Sequence, residues 1–168
     1  AEFIQGPIQT ENLPGRTLHR VNVIGDGVRN LKGDNINIGI WDAGEISQHM
    51  DFLPVGRVTQ VETSSPQQHS THCAGTILGR GLINHIARGM APNANLYSWN
   101  FNGNIQTEMA AGIPANNLIV SSHSYNDGGS VSCSINGTQI QYTTVSRNTD
   151  LNLNNFPYHL HVHSSGNA

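Results

Sequence analysis

Ile36-Asn37-Ile38-Gly39-Ile40-Trp41-Asp42-Ala43-Gly44 is the stretch on which the fold turns. Its first six residues alternate and are enriched in β-branched side chains, which predicts a strand. The apolar run stops on a carboxylate, Asp42, and Ala43-Gly44 turns the chain away from it.

Working outward, residues 1–35 carry turn signals at Pro7, Pro14-Gly15, Gly25-Asp26-Gly27 and Gly33-Asp34. They read as a lead-in that packs on a domain spanning 36–168. Downstream, a short strand is expected at Arg57–Val61 and a helix over Ser70–Leu78, ended by Gly79-Arg80-Gly81. Further strands are expected at Ala94–Trp99, Leu118–Ser122 and Tyr158–His163. Helices are expected at Ile105–Gly112 and Gln141–Leu153, with a loop at Asp127-Gly128-Gly129. Strands alternating with helices imply an α/β fold with a mostly parallel sheet.

In such sheets reactive groups gather beyond the carboxyl ends of the strands. Asp42, Ser124 and Asn167 each follow an expected strand, and His69 lies just before an expected helix. All four are therefore expected on one rim of the sheet.

Composition narrows the function. The net charge is −3, with only eight scattered Lys and Arg, which argues against a nucleic-acid surface. No run of about 18 apolar residues is present to span a membrane. The two cysteines, Cys73 and Cys133, cannot form a disulfide framework. A chain of 168 residues is long enough to bury roughly 70% of its unfolded surface without a metal or a disulfide.

Four stretches resemble the subtilisin-like serine proteases, the subtilases. They are Ile38-Gly39-Ile40-Trp41-Asp42-Ala43-Gly44, His69-Ser70-Thr71-His72-Cys73-Ala74-Gly75-Thr76, Gly89-Met90-Ala91-Pro92-Asn93-Ala94-Asn95-Leu96 and His163-Ser164-Ser165-Gly166-Asn167. The resemblance implies a three-layer subtilisin-like fold, incomplete at its C-terminal side. It implies Asp42 as triad acid, His69 as triad base and Asn167 as oxyanion-hole side chain. Ser124, Tyr125, Asn126, Ser164, Ser165 and Gly166 would line the substrate cleft. Cys73 resembles the thiol of the branch that includes proteinase K, a packed neighbour of the histidine and not the nucleophile.

These residue types suit acyl transfer. A serine hydroxyl attacks only when an imidazole takes its proton, and the imidazole needs the tautomer that a carboxylate enforces. An amide donor such as Asn167 would stabilise the oxyanion. The serine itself is missing: the family's Gly-Thr-Ser does not occur in these residues. The expectation is a truncated or nicked product, inactive alone, whose partners are a polypeptide substrate and a C-terminal fragment carrying the serine. Secretion is expected from the polar, weakly charged composition and the resemblance. No cofactor is expected for the chemistry; the family often binds calcium, but no ligand loop is locatable.

Two departures stand out. Ala43 replaces the usual Thr or Ser, removing a hydroxyl beside the acid. Ser70 replaces the usual Gly, with a side chain that would crowd the base or alter access to the cleft. Gly75 is read as a close-packing position and His72 as a packed structural histidine. Two other functions remain open from sequence: a degenerate, non-catalytic peptide-binding module, and a metal protein built on His159, His161 and His163, which share a strand face. Asn136-Gly137-Thr138 is a glycosylation sequon.

Overall fold

The computed structural model describes residues 12–125 and 142–164. Asn126, Cys133, Asn136, Ser165, Gly166 and Asn167, and the Asp127-Gly128-Gly129 loop, lie outside the described residues.

Five parallel strands form one sheet: β1 (Asn37–Asp42), β2 (Val58–Gln60), β3 (Asn95–Asn100), β4 (Leu118–His123) and β5 (Leu160–His163). Their order is β2-β3-β1-β4-β5, with β1 central. Two helices precede the sheet, α1 (Asn12–Leu18) and α2 (Val21–Gly25). α3 (Gln68–Leu78) covers one face; α4 (Ile105–Ala115) and α5 (Thr144–Asn155) cover the other. The result is an α/β three-layer architecture.

Side-chain alternation along β1 feeds two cores. Ile38 and Ile40 point to the α3 face, where they pack with Ala74, Leu78 and Leu96. Trp41 joins Trp99, Met109, Ile113 and Leu118 on the α4 side. The indoles of Trp41 and Trp99 stack 4.3 Å apart. Gly112 of α4 allows that approach, since a Cβ there would lie 2.7 Å from the Trp99 ring.

Trp41 is fully buried, and its Nε1–H donates to Glu108 Oε2 at 3.0 Å. Trp41→Ala removes the middle of a stack, and the resulting cavity is expected to cost about 3–5 kcal/mol of stability. Urea unfolding followed by circular dichroism measures this; a loss below about 1 kcal/mol contradicts the central role of the stack.

From residue 12 onward the lead-in is more ordered than its turn signals suggest. α1 contains Pro14 and Gly15 within seven residues, and Arg20 ahead of α2 is left-handed at φ 57. Neither helix announces itself in sequence. α1 is held by tertiary contacts: Asn12 donates to the Ala87 carbonyl, and buried Arg16 pairs with Asp26 at 2.7 Å.

Other boundaries shift for local reasons. α5 starts at Thr144 because Thr143 and Ser146 form a reciprocal capping box. α4 runs past Pro114 to Ala115, since a proline in the last turn interrupts little that follows. α3 begins two residues before Ser70, whose hydroxyl is used elsewhere.

Candidate active site

Asp42 is the last residue of β1 and has no solvent exposure. His69 lies in the first turn of α3. The segments between them are laced together: Gly44 and Glu45 lie against Ser65, Gln67 N–H donates to the Glu45 carbonyl, and Ser47 N–H donates to Thr71 Oγ1. This lacing brings Asp42 and His69 into contact. His69 Nδ1 lies 2.6 Å from Asp42 Oδ1. A carboxylate accepts, so Nδ1 carries the proton, and in the neutral ring Nε2 keeps the lone pair.

Three further groups surround the pair. Ala43 N–H donates to Asp42 Oδ1 at 2.7 Å. Ser70 is fully buried, and its Oγ lies 3.0 Å from the same oxygen. The expectation that Ser70 crowds the base is therefore corrected: its side chain turns inward to the acid. The hydroxyl that Ala43 lacks has a counterpart from α3.

Cys73 sits beside the base, its Sγ 3.8 Å from His69 Nδ1 and 4.0 Å from Nε2. It is half-buried, one turn along α3 from His69. Burial, reinforced by the Asp42 charge, pushes its thiol up to about 11, against a hydrogen bond with Ser124 that acts the other way. The thiol stays protonated at neutral pH, which fits a neighbour of the base and not a nucleophile.

Asp42, His69 and Cys73 form the one His/Cys/Asp/Glu group among the described residues with ligand atoms close enough to share an ion. A thiol and an imidazole do not suit calcium, which takes oxygen ligands.

The neighbouring strands bring Ser124, Tyr125 and Ser164 to the same rim. Trp41 pairs in register with His123, and His123 with His163, so Asp42, Ser124 and Ser164 each follow one cross-strand row. Ser164 Oγ donates to the Tyr125 carbonyl at 2.9 Å. Rings fill the row beneath: Trp99 on Trp41, Trp41 on His123 at 5.1 Å, and His123 parallel to His163 at 6.1 Å. Sequence reasoning missed this floor. Its signal was present, because in four strands a ring directly precedes the polar rim residue: Trp41-Asp42, Trp99-Asn100, His123-Ser124 and His163-Ser164.

A hydrogen-bond chain runs beneath Tyr125, and one carbonyl fixes its direction. His159 Nδ1–H must donate to the Leu118 carbonyl at 3.0 Å. His159 Nε2 then accepts from Ser121 Oγ–H at 2.8 Å. Ser121 Oγ accepts His123 Nε2–H at 2.9 Å, which leaves His123 Nδ1 to accept the Tyr125 hydroxyl at 2.7 Å. Burial, and then the nearby His161, His163 and His159, hold His123 down to about 2, so it is neutral. His159 lies just before β5, not in it as expected, and spends both nitrogens on this chain, which does not fit a metal site using His159, His161 and His163 together.

Two packing expectations are corrected. A Cβ on Gly75 would meet nothing within 4 Å; the tight approach to α3 is at Gly89, where a Cβ would lie 2.7 Å from the Gly75 carbonyl. His72 is exposed, because the buried positions of α3 fall at Ser70, Ala74 and Leu78.

The subtilase family profile matches residues 33–168. Subtilisin DY of Bacillus licheniformis is 35% identical over 71 residues, which are 40% of this chain and 26% of that protein. The structure of the Clostridium perfringens CspB protease superposes with a TM-score of 0.52 at 20% identity, over 76% of this chain and 35% of that one. The chain thus spans about a quarter of the curated relative and about a third of the solved one, and the latter likeness is one of fold. Over four fifths of its length matches the family, and so the chain belongs to the subtilases.

Proposed function

We propose that this chain supplies the acid, the base and an oxyanion donor of a serine endopeptidase site, and that the nucleophilic serine comes from polypeptide outside these residues. The observation that carries the reading is the 2.6 Å contact between His69 Nδ1 and the buried carboxylate of Asp42. It leaves Nε2 as the lone-pair nitrogen of a half-exposed ring, which is the arrangement a general base requires. Asn167 donates its amide to the oxyanion. Ser124, Tyr125, Asn126, Ser164, Ser165 and Gly166 line the cleft for a polypeptide substrate. Residues 36–168 form the catalytic portion, with 1–35 as its lead-in. The family relation supports action outside the cell. Among the described residues, no helix is long and apolar enough to cross a membrane.

The isolated chain holds no Gly-Thr-Ser and is inactive on this reading. The test is hydrolysis of a chromogenic peptide anilide by pure 1–168, alone and with a serine-bearing C-terminal fragment of a subtilase domain. Turnover only in the mixture is expected. Turnover by the pure chain overturns the missing-nucleophile reading. Silence of a mixture shown to have assembled overturns the peptidase reading.

A further inference from the structure

Ser70 is fully buried in the first turn of α3, one residue beyond His69. It does not cap that helix: the cap position is Gln67, and it has no side-chain cap bond. Its Oγ instead lies 3.1 Å from Gly44 N and 3.0 Å from Asp42 Oδ1. A backbone amide can only donate, so Gly44 N–H occupies a lone pair of the hydroxyl. An ionised carboxylate can only accept, so the hydroxyl proton points at Oδ1. The two neighbours leave this proton no other assignment.

The load on the carboxylate is one-sided. Oδ1 receives Ala43 N–H, Ser70 O–H and His69 Nδ1–H, at 2.7, 3.0 and 2.6 Å. Oδ2 is buried with no hydrogen-bond partner among the described residues. The terminal torsion of an Asp side chain is soft and broadly populated. Among the described residues, the donors on Oδ1 therefore hold that oxygen toward the base. The Ala43 amide belongs to the acid's own strand end. Ser70 belongs to the helix that carries His69; with Cys73 of the same helix, whose weakly donating thiol also lies against Asp42, it ties the carboxylate to that helix independently of the half-exposed imidazole.

We infer that Ser70 is a positioning residue: its hydroxyl, oriented by Gly44, fixes the rotation of the Asp42 carboxylate so that Oδ1 faces His69 Nδ1. The inference rests on the reading of Asp42 and His69 as acid and base. It assigns that role to a side chain on the base's helix.

The test uses the 15N-labelled chain and reads solvent exchange of the His69 Nδ1 proton by NMR. Ser70→Ala keeps most of the volume and removes the hydroxyl. Exchange about tenfold faster than in the parent is expected, the factor that corresponds to one hydrogen bond to a charged group. Ser70→Thr keeps the hydroxyl and is expected to stay within about twofold of the parent. Should Ser70→Ala not fold, Ser70→Cys is measured with the same expectation, a thiol being a weak donor.

A folded Ser70→Ala, or its Cys substitute, with unchanged His69 exchange overturns the inference. So does the result of a merely structural hydroxyl, in which only the Gly44 amide exchanges faster. Tenfold-faster His69 exchange in a folded Ser70→Thr overturns it too. Peptide turnover by the complemented protein is a separate readout, so loss of the positioning role leaves the peptidase reading standing.

Discussion

Asp42→Asn is expected to lower kcat for a peptide anilide about 10⁴-fold in the protein complemented with the serine fragment, the size seen when a serine-protease triad loses its acid. The physical cause is the lost charge. The Asn carbonyl oxygen takes the place of Oδ1 and still accepts from His69 Nδ1–H, but it carries no negative charge to stabilise the imidazolium that forms as His69 takes the serine proton. The amide nitrogen falls at the buried Oδ2 position, which has no hydrogen-bond partner among the described residues. The fold should persist, because Asn is nearly isosteric and its carbonyl oxygen can still accept Ala43 N–H and Ser70 O–H. KM should change little, since the acid has no exposed surface and meets the reaction only through His69. Initial rates over a range of substrate concentrations check both numbers. A fall of less than about tenfold shows that His69 does not depend on Asp42.

Acidification is expected to destabilise the fold through His123. In the unfolded chain this group takes a proton near pH 6.5. In the fold it resists protonation down to about 2, because it is buried and faces His161, His163 and His159. Between those values the unfolded state binds more protons than the folded state. The stability this group contributes is therefore complete above about pH 6.5 and is lost as pH falls toward 2, at up to about 1.4 kcal/mol per pH unit. The expected difference between pH 7 and pH 5 is about 2 kcal/mol.

Protonating His123 Nδ1 also turns the acceptor of the Tyr125 hydroxyl into a donor, so the chain beneath the cleft wall breaks together with the fold. Glu108 acts in the opposite direction. Burial, and then Glu62, raise its carboxyl, so its effect favours the fold on acidification. The urea midpoints should therefore be compared in the parent and in Glu108→Gln, where the acid loss is expected to be at least as steep. Equal stability at pH 7 and pH 5 in both proteins contradicts the assignment of a buried neutral His123.

The legible parts of this chain were those written in local pattern. β1 alternates and is apolar, and it was found within a residue of its bounds. The four longer-range groups expected on one rim owed their placement to a simple rule about strand ends. For Asp42 and Ser124 that rule holds, and His69 meets the acid. What escaped was written in contacts between distant segments. Ser70 looked like an obstruction because a sequence shows a side chain and not its partner; Asp42 lies 28 residues away. The exposed side of α3 at His72 could not be told from its buried side, since Ser70, a polar residue, occupies the inward face. α1 carries helix-breaking residues and depends on Asn12 and Arg16 reaching across to other segments. The ring floor is the instructive omission. Four ring-then-polar pairs at four strand ends were visible, but their meaning depends on the parallel register that sets them side by side.

The tautomer of His69 tests the acid–base claim most directly. Long-range 1H–15N correlation of the imidazole, recorded on the 15N-labelled chain with His69 in its neutral form, distinguishes the protonated nitrogen from the bare one. The expected result is a protonated Nδ1 bonded to Asp42 and a bare Nε2. A protonated Nε2 beside a bare Nδ1 in the folded chain would contradict it.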